Sequence, residues 1–227
     1  MDGSIGVEAG GQDMAINRPG LGEDLPSAEV LWARWALIAV LEATTEDEGE
    51  GIHRTGTWVD DQGLHLDDCG CTWWGFAPRG ESRYVLYGED ESSGVKWHEP
   101  PVDMFVGAPD WLPHDQLRDL LSGDQLGCVY WFENGGWARA PYPASLGDDG
   151  LDCGMSRFVD RKDVLRTIAD EDHGAMSTQD AETLLEHAEN YRLTPDLLMS
   201  LVNETDWREL DRPAMTRALR LAGLDRT

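Results

Sequence analysis

Thirteen residues, LHLDDCGCTWWGF (residues 64–76), concentrate the side chains of this sequence that could do chemistry. His65, Cys69 and Cys71 could together bind a metal ion or carry a redox reaction, because imidazole and thiolate are the ligands that Zn²⁺ prefers. On an extended strand Cys69 and Cys71 would point to the same face. Zinc sites usually combine two close cysteine pairs, whereas the other two cysteines of this chain are isolated in the sequence. We therefore predict a buried core strand whose cysteines pack as small apolar side chains, and a turn at Asp67-Asp68.

The alternative interpretation is a metal-dependent hydrolase or redox protein that uses Cys69, Cys71 and His65. No catalytic motif supports it elsewhere: the sequence contains no G-x-S-x-G, H-E-x-x-H, G-x-x-x-x-G-K-[ST] or G-x-G-x-x-G. The pairs His114–Asp115 and Asp172–His173 are the adjacent acid–histidine neighbours that any acidic protein contains by chance. We therefore expect no catalytic residues, no cofactor and no bound metal.

Negative charge is the strongest signal in the composition. Forty-four acidic residues face eighteen basic ones, which leaves a formal net charge of −26. Every quarter of the chain is acidic, so the charge is not confined to a tail. Such a protein repels nucleic acid and anionic membranes and attracts basic partners over roughly 8–10 Å. Solubility alone is the competing explanation of this charge, because net charge bears on association and not on fold.

Tryptophan is unusually frequent, with ten residues against four phenylalanines, and several lie among acids in the predicted strand region. An aromatic side chain surrounded by carboxylates is typical of a surface that binds a basic protein, since the ring supplies contact and the acids supply steering. The predicted partner-binding residues are Trp74, Trp97, Trp111, Trp131, Trp137, Glu89, Asp90, Glu91, Glu99, Asp110 and Glu133.

Local patterns predict the elements that would position these residues. Ser27 caps a helix over 27–44, and short strands joined by turns then form an antiparallel meander within 52–141. Asn134-Gly135 marks its clearest hairpin. Residues 95–99 are predicted as one of the strands, and three or four helices follow over 157–224. Thr194-Pro195 predicts a helix start, Asp206 with Glu209 predicts a cap, and Gly223 predicts the end of the last helix. The expected fold is α+β: one antiparallel sheet of five to seven strands packed on the N-terminal helix, followed by a helical appendage.

Three units follow from these patterns. Residues 1–26 are glycine-rich, acidic and without periodicity, which predicts a disordered tail. Residues 27–150 form the sheet domain and residues 151–227 the helical appendage. No signal peptide and no membrane-spanning apolar run is recognised, so we expect a cytoplasmic protein with reduced cysteines.

The order of helix, meander, hairpin and helices resembles in outline that of small α+β immunity proteins that neutralise toxins. This resemblance rests on element order alone and implies no individual residues. The predicted function is an acidic, immunity- or antitoxin-like module that inhibits or escorts a basic partner such as a toxin or nuclease. A mimic of nucleic acid is a further alternative. Direct nucleic-acid binding would need Arg217 and Arg220 of the last helix, and we expect those arginines instead to complement the helix C-terminus.

Overall fold

A computed structural model of the protein describes residues 16–44, 54–171, 176–202 and 210–226. It confirms the predicted α+β class, with a six-stranded antiparallel sheet between helices and a long connecting segment. The strands are β1 (Gly56–Val59), β2 (Leu64–Asp67), β3 (Thr72–Pro78), β4 (Tyr84–Asp90), β5 (Cys128–Glu133) and β6 (Gly136–Arg139). The helices are α1 (Ala28–Glu42), α2 (His114–Ser122), α3 (Asp152–Val159), α4 (Arg161–Glu171), α5 (Thr178–Glu189), α6 (Pro195–Leu201) and α7 (Arg212–Ala222).

Helix α1 is the central element of the fold. It begins where predicted, because the Ser27 hydroxyl accepts a hydrogen bond from the Val30 amide. Nearly all of its apolar side chains are buried, since one side of the helix packs on the sheet and the rest on helices α4, α5 and α7. Its apolar residues on most faces, visible in the sequence, are explained by this position.

The sheet is a simple meander in which each strand pairs with its sequence neighbours, in the order β1 to β6. The predicted β5–β6 hairpin turns at Asn134 and Gly135, whose φ angles of 53° and 80° are those of a type I′ turn. Side chains of β5 alternate between two buried layers. Tyr130 and Phe132 join the cluster on the side of α1, whereas Trp131 joins a second cluster on the other side.

The second sheet face is covered by the β4–β5 connection, residues 91–127, which includes α2. Its inward apolar side chains are Val95, Met104, Leu112, Leu117 and Leu126, all buried against the sheet. The predicted strand at 95–99 is wrong, because this stretch forms turns. Prolines at 100 and 101 cannot donate to a strand ladder, and the Lys96 side chain bonds the Asp124 carbonyl of the same connection.

Helices α4 to α7 lie within the predicted helical region. Thr194 caps α6 and Gly223, with φ 63°, ends α7, both as predicted. Helix α3 was not predicted, because its sequence contains Gly154, where φ is 84° and the backbone leaves helical geometry. A predicted cap formed by Asp206 and Glu209 lies outside the described residues.

Residues 16–26, which the sequence assigns to a disordered tail, lie against strand β6 in the structure. Ile16 and Leu25 are buried, and a short 3-10 helix spans Gly22–Asp24. The Trp137 indole N–H donates to the Pro26 carbonyl at 2.7 Å. Residues 1–15 of the predicted tail lie outside the described ranges. At the predicted boundary after residue 150, one continuous buried cluster joins α1, the sheet and the C-terminal helices.

Candidate partner-binding surface

The β4–β5 connection separates its side chains sharply by polarity. Within residues 91–125 there are seven acidic and two basic residues, and all seven acids are exposed. We call these seven acids the acidic face: Glu91, Glu99, Asp103, Asp110, Asp115, Asp119 and Asp124. Because several apolar residues of the same segment, among them Val95, Met104 and Leu117, are buried against the sheet, the acidic face belongs to a segment that is packed on the fold.

Two large apolar side chains also project from this connection. Trp97 is 75% exposed and Val106 is 48% exposed. Leu221 on α7 is the other exposed large hydrophobic residue among those that the structure describes. Exposed apolar side chains within a strongly charged segment are the arrangement that a binding surface needs, because contact and steering then come from the same place.

The two bases of this segment have partners other than the seven carboxylates of the acidic face. The Lys96 ammonium donates to Glu89 Oε1 at 2.5 Å and to the Asp124 carbonyl oxygen. Arg118 lies over the ring of Phe105, with 5.6 Å from its guanidinium carbon to the ring centroid. Glu89, a predicted partner-binding residue, therefore already holds a cation of the protein itself.

Three of the predicted partner-binding residues are buried and cannot contact a partner. Trp74 is fully buried and donates its indole N–H to the Cys153 carbonyl at 2.9 Å. Trp131 is buried in the second cluster. Asp90 is buried at the end of β4, where it accepts hydrogen bonds from the Thr72 hydroxyl and the Ser92 amide. Alternation along a sheet covered on both faces places all three inside.

Three further predicted residues are half-buried and have their polar groups paired within the protein. Trp111 donates its indole N–H to Glu133 Oε2 at 3.0 Å, and Arg83 lies over the Trp111 ring. Trp137 binds the Pro26 carbonyl. Of the predicted set, Trp97, Glu91, Glu99 and Asp110 are exposed on the β4–β5 connection.

The prediction missed Val106 and several acids of the acidic face. Asp115 and Asp119 are four residues apart on helix α2, with the buried Leu117 between them. The polar side of this amphipathic helix was therefore readable from the sequence. Nothing in the sequence around Val106 marks it as exposed.

The cysteine pair of the opening segment lies in the turn between β2 and β3, not in a core strand. Cys69 and Cys71 are both exposed, and Cys69 has a φ of 79°. Asp67 and Asp68 build the turn, because their carboxylates accept hydrogen bonds from the amides of Cys69 and Cys71 respectively. The predicted buried strand is therefore wrong for the two cysteines, although the turn assigned to the two aspartates agrees with the structure.

The chemistry of this turn gives little support to a metal or redox site. Among residues 16–44, 54–171, 176–202 and 210–226, no group of three or more His, Cys, Asp or Glu side chains is arranged to hold a metal ion. His65 Nε2 lies 3.0 Å from Asp60 Oδ1, and its ring stacks on Trp58. The nearby Glu91 carboxylate raises the pKa of Cys71, which disfavours its thiolate form.

Helix α7 carries the two arginines considered for nucleic-acid binding. Arg217 and Arg220 are exposed, while Ala218 and Leu219 pack into the core. The helix packs mainly on α1 and also contacts the preceding helix α6.

None of the helices that the structure describes combines the length and the apolar character that a bilayer-spanning segment requires.

No protein-family model, curated protein or solved structure matches this chain.

Proposed function

We propose that this protein is a cytoplasmic, acidic protein-binding module that inhibits or escorts a basic partner, in the manner of an immunity protein or antitoxin. One observation carries the proposal. Seven exposed carboxylates and two exposed apolar side chains, Trp97 and Val106, occur on one connection that is packed onto the sheet.

The charge of this surface suits a partner that is basic. Carboxylates in water attract a cationic protein over roughly a Debye length of 8–10 Å, and this steering raises the association rate. Lys96 pairs with the Glu89 carboxylate, which is not part of the acidic face, and its bond to Asp124 is to the backbone carbonyl and not to the carboxylate. The whole chain carries a net charge of −26, so the rest of the molecule is also acidic and adds to this field.

The packing of this surface suits tight binding. A flexible loop loses conformational entropy when it binds, and that loss weakens the complex. Here Val95, Met104 and Leu112 fix the connection to the sheet, so little ordering remains for the moment of binding. Trp97 and Val106 then provide contact that excludes water.

Inhibition follows from such a complex without any chemistry in this chain. A toxin or nuclease binds nucleic acid through a basic cleft, and an acidic protein seated on that cleft blocks substrate entry. A mimic of nucleic acid would require carboxylates at phosphate spacing and no apolar anchor. The presence of Trp97 and Val106 in the same segment favours recognition of a protein surface.

The test compares two triple variants that remove the same number of charges. The first, Glu99→Gln, Asp103→Asn and Asp110→Asn, neutralises part of the acidic face. The control, Asp170→Asn, Glu182→Gln and Glu186→Gln, neutralises exposed acids on helices α4 and α5. Native protein and both variants are used to capture partners from the host, and the captured basic protein is then purified and titrated by calorimetry at low and moderate salt.

We expect the acidic-face variant to weaken binding by about 10-fold or more, since three steering charges are lost. The helix variant should stay within about 3-fold of the native protein, because its carboxylates lie outside the acidic face. Equal weakening by both variants would reduce the acidity to a general effect of net charge. Affinity that does not change with salt would remove the electrostatic basis of the proposal.

A further inference from the structure

The exposed Trp97 points to the kind of side chain that the partner presents. We infer that the partner inserts an arginine whose guanidinium stacks on the Trp97 indole while neighbouring carboxylates of the acidic face pair with it. This inference rests on the proposed function and specifies the partner group that the surface recognises.

The residues on both sides of Trp97 are held in place. Lys96 donates to Glu89 and to the Asp124 carbonyl. His98 lies between two partners, with Nδ1 2.8 Å from the Pro100 carbonyl oxygen and Nε2 2.8 Å from the Ser145 hydroxyl. Since a carbonyl can only accept, Nδ1 donates to the Pro100 carbonyl oxygen. The backbone that carries Trp97 is therefore anchored, while its ring remains in solvent.

Most of the Trp97 indole surface is not in contact with the rest of the protein. Five other indoles donate their N–H to acceptors inside the chain: Trp32, Trp35, Trp74, Trp111 and Trp137. In the described part of the chain, the Trp97 N–H has no such acceptor, and the side chain is 75% exposed. The Lys96 ammonium lies over one face of the ring, 5.6 Å from its centroid, so the partner's guanidinium would stack on the opposite face.

Arginine fits this environment better than lysine does. The guanidinium group is planar and weakly hydrated, so it stacks on an indole while its edge donates two parallel hydrogen bonds to a carboxylate. Glu99, two residues from Trp97, is an exposed carboxylate on the same segment. A lysine ammonium is a strongly hydrated point charge and gains less from a flat aromatic surface.

The test uses the full chain and two probes of equal charge, a decamer of arginine and a decamer of lysine, with binding followed by calorimetry at low salt. The variants are Trp97→Ala and Trp97→Phe. The matched control is Leu221→Ala, which removes another exposed apolar side chain, on helix α7. Circular dichroism and thermal unfolding confirm that each variant is folded.

We expect the native protein to bind the arginine decamer about 5- to 10-fold more tightly than the lysine decamer, beyond their common charge attraction. Trp97→Ala should bring this ratio close to one and Trp97→Phe should keep part of it, whereas Leu221→Ala should leave it unchanged. A ratio that Trp97→Ala does not alter, or equal binding of both decamers to the native protein, overturns the inference and leaves the proposed function standing. Failure of both decamers to bind at low salt overturns the proposed function itself.

Discussion

The indole ring of Trp35 in helix α1 lies parallel to the ring of Phe158 in helix α3, with 4.8 Å between their centroids and 9° between their planes. The Trp35 ring also stacks on the ring of Phe76 in strand β3, with 6.0 Å between the centroids. Trp35 therefore sits between an aromatic ring of the sheet and one of the C-terminal helices, and the two parts of the chain share a core through it.

Because the sheet and the C-terminal helices share this core, Phe158→Ala should destabilise both. The expected loss is about 3–5 kcal/mol of unfolding free energy, because a large, fully buried ring leaves a cavity. Urea unfolding should show one transition, with tryptophan fluorescence and far-ultraviolet circular dichroism changing together. Two separated transitions would show instead that residues 151–227 unfold as an independent unit.

A buried hydroxyl should contribute to the anchoring of residues 16–26. The Tyr130 hydroxyl lies 2.6 Å from Asp149 Oδ2 and 2.9 Å from the Gly20 carbonyl oxygen. Tyr130→Phe should therefore lower the unfolding free energy by about 1–3 kcal/mol, because the buried Asp149 Oδ2 loses its donor. The Gly20 carbonyl oxygen keeps the Arg139 guanidinium as a donor. Tyr84→Phe is the control, since its hydroxyl has no hydrogen bond within the described ranges. Equal losses in the two variants, measured by urea unfolding, would assign the effect to the rings and not to the hydrogen bonds.

The side-chain carboxyl of Glu42 should make the unfolding free energy depend on pH. Burial raises the pKa of this carboxyl above its ordinary value of 4.5, although its Oε2 accepts a hydrogen bond from the Thr57 amide. The folded state therefore keeps the Glu42 proton to a higher pH than the unfolded state does. The Glu42 contribution to stability is present below pH 4.5 and is lost as the pH rises through the folded-state pKa.

Glu42→Gln removes this penalty while retaining an oxygen that can accept from Thr57. Relative to the native protein, the variant should be more stable at pH 7 than at pH 4, as measured by urea unfolding across that range. Glu182→Gln, which removes an exposed carboxylate from helix α5, is the control. A difference between Glu42→Gln and native protein that stays constant with pH would contradict the assigned burial.

Thiol reactivity should distinguish the turn between β2 and β3 from the core. In native protein Cys69 and Cys71 should be alkylated readily, whereas the buried Cys128 should react only after unfolding. Because Glu91 raises the pKa of Cys71, Glu91→Gln should accelerate alkylation of Cys71 near neutral pH. Mass spectrometry after timed alkylation measures each site. Protection of Cys69 and Cys71 in the native protein would restore the buried-strand interpretation.

Elements with local signals were predictable because the signal and the structure involve the same few residues. Ser27 caps α1 through an amide three residues away, and Asn134-Gly135 adopts the positive φ angles that its hairpin requires. Helix α3 and the turns at 95–99 were not predictable in this way. Gly154 breaks the helical pattern of α3 locally, and the path of 95–99 depends on Asp124 and Ser145, which are distant in the chain.

The sequence predicted tryptophans exposed among acids, and of the named residues Trp97, Glu91, Glu99 and Asp110 are exposed. Trp74 and Trp97 both occur in acidic, strand-like sequence, yet one is fully buried and the other is 75% exposed. Helices α1 and α3 cover the sheet face on which Trp74 lies. Trp97 lies on the outer side of the β4–β5 connection, which covers the opposite sheet face.

The sequence by itself determined the α+β class, the helix caps, the meander and the net charge of −26, because these depend on composition and on contacts between near neighbours. Only the tertiary structure decided which tryptophans and acids meet solvent and that the cysteine turn is exposed. Burial on a sheet depends on what covers each face, and here the covering elements, α1 and the β4–β5 connection, are remote in the chain from many of the residues they bury.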